Sequence, residues 1–219
     1  MARIAEDLLL LLLDNPAAQP GLRRGLRGRV LAAALLLDLA FGCRVRPAVP
    51  GDAAPPGHLL ALTGPVPRDP AIRPALASLQ SGPLSPAAAI RRLCGRAEDD
   101  VLDQLLRTGE IHQVSLTTHR LRRNAYRWPL ADGTRVGSAR GALAGVLFER
   151  RRPDPVTAAI IDLLCAVRGL EAVLALDANA QHFAYARAAE IATGQWVDGS
   201  DIAARNLAVT AAAVLPALS

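Results

Sequence analysis

The sequence predicts a mainly α-helical chain with one small β-hairpin, and three observations carry that prediction. First, 51% of the 219 residues are hydrophobic while only 3% are aromatic. A core of Ala, Leu and Val favours helices, because straight-chain and small side chains lose little freedom there. Second, the apolar residues come in helix-length segments closed by Asp, Asn, Gly or Pro. Third, only a few short stretches alternate as a strand would. A chain of this length and apolar content can bury one large core without metals or disulfides, so one domain over 1–219 is expected.

Ile4 to Leu13 reads as a first helix that is nearly apolar all round and therefore buried; Asp14-Asn15-Pro16 stops it. Its six consecutive leucines, Leu8 to Leu13, are too short to span a bilayer, and acidic residues flank them where a secretory leader would be basic. Pro16 to Arg29 reads as a loop of Pro, Gly and Arg. Val30 to Phe41 follows as a second apolar helix ending at Gly42. Cys43 to Pro83 holds more than half of the sixteen prolines. Within it, Cys43 to Arg46 and His58 to Leu62 can pair as strands, and Pro70 to Gln80 forms a short helix. Ser85-Pro86 is an N-cap with proline at the first helical position, opening a helix from Pro86 to Cys94. Ala97 to Thr108 is a second helix, stopped by Gly109. Ile111 to Leu116 and Asn124 to Pro129 then form a hairpin with its tip at His119 to Arg123, so that helix, helix and hairpin make a winged-helix-like segment. Helices over Gly137 to Phe148, Pro155 to Val167, Leu170 to Leu176, Asn179 to Thr193 and Ser200 to Leu218 complete the chain.

Catalytic and metal chemistry find no support in this order. The four histidines, His58, His112, His119 and His182, are dispersed and form no HExxH or i,i+4 pair; no GxSxG elbow exists. Glu98, Asp99, Asp100 and Asp103 cluster at a helix N-terminus, where the dipole and free amides attract acids. The glycines of Gly21 to Gly28 follow a helix and lack the spacing of a phosphate-cradling loop. Cys43, Cys94 and Cys165 lie far apart, and their odd number and context predict buried, reduced thiols in a reducing compartment. No catalytic residue, metal or cofactor is therefore expected.

Charge is the remaining signal. The net charge of +5 comes entirely from arginine, since the chain has no lysine. No acid lies between Asp14 and Asp38, a stretch that contains Arg23, Arg24, Arg27 and Arg29 ahead of the apolar helix. Unpaired guanidinium groups at a helix entrance suit phosphate or carboxylate, since the amide groups there also favour anions. Arg91, Arg92 and Arg96 form a second group. Arg120, Arg122 and Arg123, with Tyr126 and Trp128, make a basic, aromatic hairpin able to contact a headgroup layer, a nucleic acid or a second copy of the chain.

The order of features resembles the Golgi phosphoprotein 3 family, including its bacterial members. Glu6-Asp7-Leu8-Leu9-Leu10-Leu11 resembles the family's acidic-then-leucine start, and Leu37 to Val45 its apolar helix running into Gly and a basic strand. Leu105 to Ile111, Trp128-Pro129-Leu130 and Pro155 to Leu174 continue the resemblance over nearly the whole chain. It implies amphipathic helices packed around central apolar helices, a protruding hairpin linked to self-association, and no enzymatic activity. Eukaryotic members bind phosphatidylinositol 4-phosphate through a tryptophan and arginines. At the four matching positions this chain carries Arg23, Ala32, Gly95 and Glu98, so that pocket does not transfer residue by residue.

The function expected is that of a non-enzymatic adaptor, soluble and cytoplasmic, docking peripherally on the inner face of a membrane. Arg23, Arg24, Arg27, Arg29, Arg91, Arg92 and Arg96 would contact anionic headgroups, and the hairpin would support oligomers or membrane contact. A nucleic-acid-binding winged helix is the alternative. It is opposed by the acids of its second helix, which carry the wrong sign for phosphate. An enzyme would require the scattered His and carboxylate side chains to converge in the fold.

Overall fold

The computed structural model describes residues 3–115, 126–194, 197 and 200–218. Its centre is a helix that has no exposed face over most of its length. Helix α2 (Arg24–Phe41) follows α1 (Arg3–Leu13), and every residue from Val30 to Ala40 is buried. A helix apolar all round must be covered on every side. Here α1, α7 (Pro155–Ala166), α9 (Ile202–Val214), α4 (Pro86–Leu93), α5 (Ala97–Arg107) and α3 (Arg73–Gln80) supply the cover. Helix α6 (Thr134–Phe148) packs on α1 and α7, and α8 (Ala178–Ile191) lies against α6 and α7. The fold is mainly α, as the composition predicts.

Two antiparallel pairs complete the described residues: β1 (Val45–Pro47) with β2 (Leu59–Ala61), and β3 (Val114–Ser115) with β4 (Tyr126–Arg127). The second is the base of the expected hairpin; the tip, with His119, Arg120, Arg122 and Arg123, lies outside the described residues. Ser85 caps α4 by accepting from the Ala88 amide at 3.3 Å, as its place before Pro86 predicts. Asp154, Asp177 and Asp201 cap α7, α8 and α9 in the same way.

Three local expectations need correction. Helix α2 starts at Arg24, six residues before the apolar run, so most of the arginine segment is helical. It ends with Gly42 at negative φ and Cys43 in the left-handed region at φ 51°. The Cys43 amide donates to Ala40 O and the Arg44 amide to Leu39 O, at 2.9 and 2.8 Å, so the Schellman turn places a cysteine where glycine is usual. The thiols of Cys43, Cys94 and Cys165 are free, but half-buried and not enclosed. Finally, the segment expected as a helix over Leu170 to Leu176 forms only a short 3-10 turn, Leu170–Ala172.

Buried polar groups lock the N-terminus. Asp38, in the last turn of α2, accepts from the Ile4 and Ala5 amides at 2.9 and 3.0 Å, capping α1 from a neighbouring helix. Arg135 of α6 reaches three carboxylates at once: Glu6 and Asp7 at 2.7 Å and Glu110 at 3.0 Å. Burial pushes the Glu6 and Asp7 carboxyls up, and Arg135 pulls both down. The acidic residues before the leucine run thus serve as ion-pair partners for α6.

Candidate headgroup-binding surface

The arginines that the sequence groups together have different roles. Arg27 faces α5 and pairs with Glu98 at 2.8 Å. Its Nη1 also donates to Leu22 O at 2.9 Å and Pro20 O at 3.3 Å, tying the preceding loop to the helix. Arg29 donates to Ala217 O at 2.8 Å and so fastens the C-terminal turn Leu215–Leu218 to α2. Both are engaged inside the molecule, which corrects the expectation of four unpaired charges. The neutralising acid comes from 71 positions along the chain, beyond the reach of any local reading.

Arg23 and Arg24 are exposed at the N-terminus of α2, and Arg91 and Arg92 are exposed in the last turn of α4. Among the described residues, the side chains of Arg23, Arg91 and Arg92 have no ion-pair or hydrogen-bond partner. Arg24 lies near enough to Asp99 to favour its charged form, against burial and Glu98, which push that carboxyl up. Arg96 is exposed but forked onto Asp100, Nε and Nη2 donating at 2.9 and 2.8 Å.

One glycine joins the two ends. A Cβ on Gly28 would sit 2.5 Å from the Cys94 carbonyl oxygen, a separation no side chain tolerates. The first turns of α2 therefore rest directly on the C-terminus of α4. Arg24 is one turn before Gly28, and Arg91 and Arg92 lie within a turn of Cys94.

Tyr126 and Trp128 lie at the base of the hairpin with ring centroids 5.8 Å apart. Trp128 is half-buried against the core, and its amide donates to Ala18 O at 2.7 Å, tying the hairpin base to the 14–22 loop. A cavity of about 400 Å3 brings both rings together with Arg24, Arg27, Glu98 and Asp99. The loop, the acidic start of α5 and the hairpin base thus share one recess, and its charges balance. The sequence places these residues on three separate elements and contains no signal that they meet.

Among the described residues, no group of three or more His, Cys, Asp or Glu side chains is placed to hold a metal ion. Nor, among them, is any helix long and apolar enough to cross a membrane. Two buried carboxyls are pushed far up: Asp38 to about 8, and Asp162 of α7 to about 7 by burial alone. Both lie within the helix core.

A central apolar helix, an acidic start to α1 and a basic strand after Gly42 agree with the comparison to known families. The family model for Golgi phosphoprotein 3 (GPP34) matches residues 4–206, nearly the whole chain. Comparison with curated proteins finds no relative. The chain belongs to the Golgi phosphoprotein 3 family.

Proposed function

We propose that this chain is a non-enzymatic adaptor that docks reversibly on anionic lipid headgroups through Arg23, Arg24, Arg91 and Arg92. The reading rests on the contact of Gly28 with Cys94, which holds two exposed pairs of arginines at adjoining helix ends. Arg27 and Arg29 support the surface from beneath, and Arg96 contributes less because Asp100 already neutralises it. Each basic side chain near an anionic bilayer contributes about 1 kcal/mol. Four together correspond to roughly a thousandfold in partitioning, enough for attachment that salt reverses. Homo-oligomer formation through the hairpin would add to this by linking several such surfaces. A nucleic-acid interface on α5 is the weaker reading, since Glu98, Asp99, Asp100 and Asp103 lie at or near its start.

Vesicle sedimentation tests the proposal. Phosphatidylcholine vesicles containing phosphatidylserine or phosphatidylinositol 4-phosphate should retain the protein at low salt, and pure phosphatidylcholine should not. Replacing Arg23, Arg24, Arg91 and Arg92 by Glu should abolish retention while costing about 0.5 kcal/mol of stability per substitution, as for exposed positions generally, so that the variant stays folded. Equal retention by neutral vesicles, or retention by the quadruple variant, refutes it. Retention by phosphatidylinositol 4-phosphate alone would identify the lipid.

A further inference from the structure

Two of the three phenylalanines in this aromatic-poor chain are exposed, Phe148 at 43% and Phe183 at 67%. They belong to different helices, yet both line one apolar slot of about 340 Å3 between the end of α6 and one face of α8, with Leu147 and Ala186. Phe183, Ala186, Arg187 and Glu190 follow at i, i+3, i+4 and i+7, a single stripe along α8. The small Ala186 leaves the slot open between the rings.

A second cavity of about 590 Å3 adjoins the slot, sharing Arg150, Arg187 and Glu190, and adds Arg152. Three arginines against one glutamate make it basic. Arg187 is half-buried in the wall, its Nη1 2.6 Å from Glu190. Arg150 occupies the left-handed turn after α6 at φ 57°, a conformation that glycine adopts without cost. The arginine there lines both cavities.

We propose that this α6–α8 groove binds an extended segment of a partner protein in which an acidic side chain neighbours a large apolar one. The apolar side chain fills the slot between Phe148 and Phe183, and the carboxylate meets Arg150 and Arg187 in the basic cavity. Exposed aromatic and arginine side chains around a recess are the residue types that dominate binding energy at protein interfaces. Charge complementarity specifies the acid. The recess favours a peptide over a bilayer. Arg187 lies in the wall, where a side chain reaches it more readily than a planar headgroup layer. The groove uses α6 and α8, whereas the proposed headgroup surface uses α2 and α4, so either can fail without the other.

Fluorescence anisotropy with a labelled twelve-residue peptide repeating Leu-Glu-Glu tests this on the full chain. Binding should be saturable and weaken on adding salt. It should be absent for Ser-Glu-Glu and Leu-Lys-Lys repeats, and fall at least tenfold in Phe183→Ser and in Ala186→Trp, which plugs the slot. Arg150→Gly removes the charge at a turn that glycine favours, so its expected tenfold loss is not confounded by unfolding. Failure of the Leu-Glu-Glu peptide to bind, equal binding of the control peptides, or unchanged affinity in the three variants overturns the proposal. So does a loss confined to phosphatidylserine vesicles, which would make the groove a membrane face.

Discussion

Asp38 Oδ1 lies 2.9 Å from the backbone nitrogen of Ile4, so a carboxyl group in the last turn of one buried helix caps the first turn of another. Its second oxygen takes the Ala5 amide at 3.0 Å. An acid inside an otherwise apolar helix thereby satisfies donors that α1, too deeply buried to use water, could not satisfy itself. Asp38→Ala leaves both amides buried and unpaired, at a cost of about 2–4 kcal/mol. Asp38→Asn keeps one acceptor and should lose about half as much. Urea unfolding of the three proteins measures this, and an Ala variant as stable as the parent would show that the cap is not needed.

Cys43 offers a gain instead of a loss. A non-glycine residue in the left-handed region costs about 1–2 kcal/mol, and here it completes a Schellman turn whose two hydrogen bonds need no side chain. Cys43→Gly should stabilise by about 1 kcal/mol, raising the midpoint of thermal unfolding by about 2–4 °C for a chain of this size. Loss of the half-buried thiol's contacts works against the gain. A lower midpoint would mean that those contacts outweigh the relief of strain.

Asp162 makes stability depend on pH. Its carboxyl is pushed from 3.8 up to about 7 by burial, and Oδ1 has no hydrogen-bond partner. Because the folded state holds the proton more tightly, the contribution is fully present below about pH 4 and is lost as pH rises towards 7. The loss is at most about 1.4 kcal/mol per pH unit. Asp162→Asn cannot ionise. Its stability relative to the parent should therefore rise between pH 4 and pH 7, while the similar contribution from Asp38 is common to both and cancels. A difference independent of pH would place the ionised group in a better solvated position.

Much of the architecture was legible along the chain because its causes are local. Ser85 before Pro86, the apolar run of α2 and the alternation around Val114 and Tyr126 each act within a few residues, and each forms the element expected. The start of α2 has a long-range cause. Gly21, Gly25 and Gly28 read as loop along the chain, but Glu98 pairs with Arg27 and Gly28 seats against the Cys94 carbonyl, within helix.

The spacing of apolar side chains is enough to specify a mainly helical chain with its leucine-rich helices inside. The sequence also determined an excess of arginine. Which arginines remain available depends on contacts between distant parts of the chain. Pairing depends on separation in space, and Glu98 and the Ala217 carbonyl meet their partners through the fold, whereas the side chains of Arg23, Arg91 and Arg92 meet none among the described residues. In the same way the tertiary structure placed Phe148 and Phe183 on one exposed groove, because α8 buries Ala184, Ala188 and Ile191 and leaves Phe183 outside.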